Sequence, residues 1–431
     1  MRFFFSAGEP SGDIHAAALI NKIREHVPDT EFIGFGGAQM QKAGCQLLFE
    51  MTSLAFMGIV QAISNYFLFR NILNNAKKYF QQHHVDAVIL VDYPGFNWHV
   101  ARAAKEQGIP VFYFMPPQLW SWASWRVRKM KKWIDWILCP LPFEERWFKQ
   151  HGCPTVYIGH PFFEEIRNNI SDSTFLESFY TQYGNAPILT LLPGSRTKEV
   201  MMNLDDMLLT VEYVRSLIPE VRPIFSPVNI QHAEYIQKRL NELEISVPIF
   251  VGHTPELIRA ADCCLAVSGS VSLELLACNK PTVIYYRVGM LMFLIQRFFR
   301  RTRYITLVNL LGIDRPQAVK NVKRAKIENS SKKSPNHLSK NLSKESPIFY
   351  DDSTWIIPSE PSLEDRNQMF FPEFLTATDR SKDAAAYFIH WLSNPAHLAM
   401  QKRSLALLLR TVDQIESPLN QAAQTILDKI K

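Results

Sequence analysis

Residues 2–26, RFFFSAGEPSGDIHAAALINKIREH, set the plan for the whole chain. Arg2–Ala7 is an apolar run that reads as a buried strand. The turn GEPSGD (8–13) follows, and residues 14–26 carry the spacing of an amphipathic helix. Outward from there, strand-like runs recur at Glu31–Gly36 and at 86–92, 110–115, 136–140 and 155–159, with helical stretches between them. The plan then restarts. A run at 187–192 ends in LLPGSRTKEV (191–200), a helical stretch fills 200–218, and further strands are expected at 222–227, 247–251, 263–267 and 281–286. Such βα alternation predicts parallel sheets covered by helices on both faces. Two Rossmann-like domains of an α/β fold are therefore expected to face each other across a cleft, residues 1–165 and 186–395. A polar linker should fill 162–185. In such sheets ligands bind outside the carboxyl ends of the strands.

The bulk figures agree with this plan. A chain of 431 residues exceeds what one core ordinarily serves, and 47% hydrophobic against 20% charged residues supplies two. The net charge of +6 is clustered rather than spread. The six cysteines, Cys45, Cys139, Cys153, Cys263, Cys264 and Cys278, show no metal or redox spacing, which predicts structural thiols in a reducing compartment. Glu9 interrupts the N-terminal stretch before a signal-type apolar region can form. The most apolar long stretch, 54–69, contains Gln61 and Asn65 and ends at Arg70, too polar and short for a spanning helix. A cytoplasmic protein is expected. Residues 320–346, rich in Lys, Ser and Asn, are expected to form a disordered insertion. Helices are expected at 384–392, 405–416 and 419–430, with Pro418 separating the last two. Residues 396–431 should pack back on the first domain or on a partner subunit.

Five segments can carry chemistry, and each has a plainer reading beside it. In Gly8-Glu9-Pro10-Ser11-Gly12-Asp13, Ser11 or Asp13 could cap a helix whose positive end faces the cleft, or the cap could be all there is. Gly194-Ser195-Arg196-Thr197-Lys198-Glu199 offers a glycine turn, a helix N-terminus and fixed cations, which suits a diphosphate; the alternative is an ordinary strand-to-helix turn. Ser268-Gly269-Ser270 opens another helix and could complete that diphosphate site. Glu274, one turn in, could accept from ribose hydroxyls, or could simply be solvated. Asp92, in Asp92-Tyr93-Pro94-Gly95-Phe96-Asn97, ends a strongly apolar strand and could act as a general base in the cleft, or could hold an Asx-turn. Trp120, Trp122 and Trp125 precede Arg126, Arg128, Lys129, Lys131 and Lys132, and 290–295 precedes Arg297, Arg300, Arg301 and Arg303. Aromatic residues beside clustered cations suit an anionic membrane surface or a phosphorylated amphiphile; a buried tryptophan beside a solvated basic helix is the alternative. Nothing around them forms a nucleic-acid module, so no nucleic-acid partner is expected.

Taken together, AGEPSGD (7–13), GFGG with Met40, FMGIVQ (56–61), DYPGFN (92–97), PPQLWSW (116–122), PFE (142–144), IGHP (158–161), LLPGSRTKEV (191–200), SGSVSLE (268–274) and LVNLL (307–311) resemble the lipid-A-disaccharide synthase family. Their order and spacing span nearly the whole chain outside the insertion. The resemblance implies a GT-B fold and an inverting, metal-independent glycosyltransferase without a cofactor. It implies UDP-2,3-diacylglucosamine as donor and 2,3-diacylglucosamine 1-phosphate as acceptor, joined in a β-1,6 linkage with release of UDP. It places Asp92 on the family's essential aspartate, Glu9 on its acidic N-terminal residue, and Arg196, Glu274 and Asn309 on positions associated with the nucleotide. It also implies a homodimer attached peripherally to the inner membrane. The chain departs from the family at three places. Gln61 stands where Glu is common, Gly95 where a second Asp is common, and Pro372-Glu373-Phe374-Leu375 follows Asn309 only after the insertion.

A single displacement is the expected mechanism. Asp92 takes the proton of the acceptor 6-hydroxyl while Arg196 and the helix starts after Gly194 and Ser268 stabilise the departing diphosphate. No strand-borne DxD is present; Asp205-Asp206 and Asp351-Asp352 are adjacent pairs in polar settings, so no metal is implied. Two other readings stand beside it: a UDP-N-acetylglucosamine 2-epimerase-like enzyme, and a nucleotide-sugar or lipid binding protein without turnover. The tryptophan and basic segments favour a lipid substrate over the first, and Asp92 favours catalysis over the second.

Overall fold

The computed structural model describes residues 1–52, 66–168, 172–290, 293, 304–312 and 369–430. The expected insertion at 320–346, Gln61, Arg300 and Arg301 lie outside the described residues.

Seven parallel strands form the first sheet: β1 (Arg2–Ala7), β2 (Glu31–Gly36), β3 (Gln46–Glu50), β4 (Ala87–Val91), β5 (Val111–Phe114), β6 (Trp136–Cys139) and β7 (Thr155–Tyr157). Their order is β3-β2-β1-β4-β5-β6-β7. Five parallel strands form the second: β8 (Ile188–Leu192), β9 (Arg222–Phe225), β10 (Cys263–Ala266), β11 (Thr282–Arg287) and β12 (Glu373–Thr376), ordered β12-β11-β10-β8-β9. In each sheet the chain reverses its direction of travel at one place, between β1 and β4 in the first and between β8 and β10 in the second. At a reversal the two flanking connections leave to opposite faces and a crevice opens beyond the strand ends. The loops at these reversals are 8–9, 92–93, 193–196 and 267–270, which fall in four of the five segments singled out above.

The strands pair this way because both faces of each sheet are apolar. Phe4, Val88 and Leu90 enter one core with Ile72, Ala76 and Val100 of the helices Tyr66–Gln82 and Pro94–Glu106. Phe3, Phe5 and Ile89 point the other way, to Ala16, Leu19 and Ile20 of the helix Pro10–His26. The final helix, Pro418–Ile430, closes this second core with Ala422, Ala423 and Ile426. All six cysteines are free thiols.

Three local expectations change. The stretch 162–185 holds two helices, Pro161–Asn168 and Ser173–Tyr183. The Asp172 carboxylate caps the second by accepting from the Phe175 amide at 3.0 Å, and Phe179 is buried against Phe175 and Phe250. The run at 247–251 makes a single bridge, Ile249 to Phe225, rather than a strand. The helix expected at 405–416 begins much earlier, as Pro395–Val412, because Asn394 caps it through the Ala396 amide at 2.9 Å.

The turn after β1 also works differently from the capping arrangement expected. Glu9 is the residue that precedes the helix, and no side chain caps it there. Asp13 is buried and reaches across to the next βα connection, accepting from the amides of Gly37 (2.7 Å), Gln39 (2.9 Å) and Met40 (3.1 Å). The segments 8–13 and 34–40 are therefore one unit. Gly34 is fixed by the same close approach: a Cβ there would stand 1.9 Å from the Phe5 carbonyl oxygen. Gly34→Ala should prise β2 from β1 and cost about 3 kcal/mol or more, read from the urea midpoint. A cost below about 1 kcal/mol would show that β2 shifts freely along β1.

Candidate active site

At the end of β4 the backbone turns through two consecutive left-handed residues, Asp92 (φ 43°) and Tyr93 (φ 48°). Neither is glycine, so each costs of order 1 kcal/mol or more and must be held by its surroundings. Asn97, fully buried on the following helix, donates from Nδ2 to the carbonyls of Asp92 (2.7 Å), Ser6 (3.2 Å) and Val91 (3.3 Å). Its Oδ1 accepts from the Ser6 hydroxyl at 2.7 Å. The buried Tyr113 hydroxyl donates to the same Asp92 carbonyl at 2.8 Å. Gly8 completes the arrangement, since a Cβ there would lie 2.2 Å from the Tyr93 ring. Neither Asn97 nor Tyr113 was singled out by the sequence, although Asn97 lies inside the quoted DYPGFN.

The Asp92 carboxyl is pushed up to about 6. Burial is the main cause and the nearby charge of Glu9 adds to it, while a hydrogen bond from the Tyr93 backbone opposes both. The Asp92 carboxyl of the β4 loop thus feels the charge of the β1 loop across the first reversal.

The second reversal brings the other two loops side by side, with the Val267 amide donating to the Leu192 carbonyl at 3.0 Å. Gly194 (φ 111°) is needed for conformation and for space: a Cβ there would stand 2.9 Å from Cβ and Oε2 of Glu199. Glu199 folds back over the start of the helix Thr197–Leu217. Its Oε2 accepts from the Arg196 amide (3.3 Å), and its Oε1 from Arg196 Nη1 (3.2 Å) and the Tyr286 hydroxyl (3.4 Å). Arg196 is held at one nitrogen while 80% of its side chain stays exposed; Glu199 is only 12% exposed. Ser195, Gly269 and Ser270 are exposed beside it, and Ser268 donates to the Ile305 carbonyl at 3.5 Å. Glu274 is half-buried, and burial raises its pKa while the charge of Arg259 opposes the rise. The adjacent carboxylates Asp205 and Asp206 are engaged by Arg239 and by Arg287 with Tyr285 respectively.

Two expected site residues have settings that the sequence did not indicate. Asn309 is fully buried: its Nδ2 donates to the Phe371 carbonyl (2.7 Å) and Glu373 (3.1 Å), and its Oδ1 accepts from the Phe371 amide (2.9 Å). The fold thereby restores in space the neighbours that the insertion separates in sequence. Trp120, expected at an acceptor or membrane face, is 1% exposed and donates from Nε1 to Glu144 at 2.8 Å. Arg126 and Trp125 instead form the outer pair, with the guanidinium 5.1 Å from the ring centroid and Trp125 60% exposed. Arg128 is exposed on the helix that follows; the Trp122 side chain lies outside what is described.

Paired parallel sheets with ligand-ready loops at both reversals define a GT-B-type fold, the fold of a large class of nucleotide-sugar glycosyltransferases. Solved structures agree at the level of fold. A UDP-GlcNAc 2-epimerase from Neisseria meningitidis, bound to UDP-GlcNAc, matches with a TM-score of 0.56 and 11% identity over 100% of this chain and 99% of its own. A glycosyltransferase from Rickettsia africae matches with a TM-score of 0.52 and 10% identity, covering 100% of this chain and 97% of its own. The family is settled by sequence. Residues 3–347 match the model of the lipid-A-disaccharide synthetase family. The lipid-A-disaccharide synthase of Myxococcus xanthus is 32% identical over 311 residues, 72% of this chain and 81% of its own. That of Coxiella burnetii is 31% identical over 306 residues, 71% of this chain and 80% of its own. The chain belongs to the lipid-A-disaccharide synthetase family and is a glycosyltransferase of lipid A biosynthesis.

Glu144 lends itself to a stability test. Its carboxyl is fully enclosed, and burial pushes it up to about 8 against the opposing hydrogen bonds from Trp120 and the Leu141 backbone. The folded protein therefore holds a proton there that the unfolded chain has lost, so stability falls as pH rises from about 4.5 towards 8. Glu144→Gln removes that titration while keeping an acceptor for the indole. The variant should gain stability on the parent across this interval, as read from urea midpoints at pH 5 and pH 8. A stability difference independent of pH would mean that Glu144 is ionised in the fold.

Proposed function

We propose that this chain transfers 2,3-diacylglucosamine from UDP-2,3-diacylglucosamine to the 6-hydroxyl of 2,3-diacylglucosamine 1-phosphate. The observation that carries the reading is Asp92: a carboxylate on a rigidly held turn at the first reversal, with its pKa raised towards neutrality. The acceptor oxygen attacks the donor anomeric carbon from the face opposite the diphosphate. As the new C–O bond forms, the bond to the phosphate oxygen breaks with its electron pair on UDP, and the hydroxyl proton passes to Asp92. Configuration inverts because attack and departure lie on opposite faces. Arg196, with the exposed loops Gly194-Ser195 and Ser268-Gly269-Ser270, receives the growing negative charge, and Glu274 accepts from the ribose. Glu9 raises the basicity of Asp92 by placing a second negative charge beside it. In this reading no metal takes part.

The same proposal includes peripheral attachment to the cytoplasmic face of the inner membrane and assembly as a homodimer. For the first, the helices Tyr66–Gln82, Pro94–Glu106 and Val127–Trp133 present Lys77, Arg102 and Lys129 close enough that their charges together lower the pKa of His99, after the larger effect of its burial. Trp125 and Phe67 stand exposed on the same elements or next to them. No helix among the described residues is long and apolar enough to cross a membrane. For the second, Leu209, Tyr213 and Leu217 form an exposed apolar row at four-residue spacing along one long helix.

Asp92→Asn should fold, bind UDP normally and turn over about a hundredfold more slowly or worse. Near-normal turnover would reduce Asp92 to a turn residue. Because the base acts ionised, kcat/KM should rise with pH through about 6 and then level. Glu9→Gln removes a charge that raises that value, so its acid limb should move to lower pH; a limb that stays in place would separate Glu9 from Asp92. Charge reversal at Arg126, Arg128 and Lys129 should weaken sedimentation with anionic vesicles, and so should added salt. Binding indifferent to both would make this face merely solvated.

A further inference from the structure

The segment 304–311 belongs to both halves of the molecule at once. On one side Glu373, at the start of β12, accepts from two consecutive backbone amides, Ile305 at 2.7 Å on Oε1 and Thr306 at 3.0 Å on Oε2. The same Oε2 accepts from Asn309 at 3.1 Å, and Asn309 closes a two-way pair with the Phe371 backbone. Ser268, in the second reversal loop, donates to the Ile305 carbonyl, and Val308 packs in the core of the second sheet with Phe371. On the other side Tyr304 and Leu310 are buried in the core of the first sheet, the one that holds Phe96 and Tyr113.

We propose that Asn309 and Glu373 are positioning residues, forming a clasp that fixes the first domain against the second and so sets the separation of Asp92 from the loops at 194–196 and 268–270. The physical ground is that the Glu373 carboxylate and the Asn309 amide are buried and bonded within the clasp. Opening it would leave a carboxylate and two amides without partners in a low-dielectric interior, which is strongly disfavoured. The clasp therefore has one arrangement. Because its apolar face is inserted in the other core, that arrangement is transmitted to the base. It also joins residues 62 apart in sequence, so the two ends of the intervening chain are closed together by the protein itself. The effect on catalysis rests on the glycosyltransfer proposed above; the effect on domain separation does not.

Glu373→Gln replaces one acceptor oxygen by an amide donor facing backbone donors. The expected result is kcat lower by about tenfold or more, with UDP affinity and donor KM within about twofold, because the substitution changes no side chain of the loops at 194–196 and 268–270. Small-angle scattering should report a larger radius of gyration for the variant, a readout that requires no turnover. Leu310→Ala loosens the opposite face of the same segment without touching Glu373. It should reproduce both effects, and it decides the matter alone if Glu373→Gln does not fold. The clasp is refuted if UDP affinity falls as far as kcat, which would put these residues on the nucleotide. It is equally refuted if scattering is unchanged, or if Leu310→Ala keeps the parental kcat. Wild-type protein that makes no disaccharide from the two lipid substrates would overturn the function instead, and would leave the scattering result standing.

Discussion

The hydrogen bonds that Asn97 and Tyr113 donate to one carbonyl oxygen, that of Asp92, hold the active end of the first domain in place. A strand buried on both faces ends there, and the chain must turn sharply into a helix that packs back on the sheet. It does so through two left-handed residues whose side chains disfavour the conformation, and the cost is borne only because the carbonyl is gripped from both neighbouring elements. Asn97 spends its entire amide on this grip, and Gly8 leaves room for the Tyr93 ring. The carboxyl of Asp92 is consequently displayed beyond the strand while its main chain stays fixed.

The two domains divide electrostatic labour in a way the sheet order explains. Reversal in the first sheet brings two acidic loops together, so burial and mutual repulsion favour the protonated form of Asp92. Reversal in the second brings together a glycine turn, an exposed guanidinium and the serine-rich loop. A proton acceptor on one side and an anion acceptor on the other is the polarity that displacement of a diphosphate by a hydroxyl requires. Glu199 belongs to this second group. Its carboxylate lies over its own helix start and holds Arg196 by one nitrogen, leaving the rest of the guanidinium open.

Likeness of fold and membership of family carry different weight for this chain. The epimerase and glycosyltransferase structures share its architecture at about a tenth identity, so they speak for the two facing sheets and for nothing in the chemistry. The family match and the relatives near 30% identity speak for the glycosyltransferase. The long separation between Asn309 and Glu373 in sequence is a separation along the chain only, since the folded protein returns Glu373 to within 3.1 Å of the Asn309 amide.

Apolar periodicity and glycine placement alone determined the alternation of strands and helices, the two-sheet α/β architecture and the four loops at the strand ends, because each of these follows from local sequence. The same local signals missed the helices at Pro161–Asn168 and Ser173–Tyr183, where a cap and buried rings outweigh a polar composition. What the side chains in those loops touch was decided by tertiary structure. Asp13 had the composition of a helix cap, yet it crosses to another connection; Trp120 had the composition of a surface aromatic, yet it is enclosed on Glu144. Asn309 was expected at the nucleotide, and its amide is bonded to Phe371 and Glu373. A hydrogen bond between residues far apart in the chain leaves no periodicity to detect, because its partner is chosen by the packing of whole elements. Sequence therefore fixed where chemistry could occur, and only the assembled sheets decided which side chains remain free to perform it.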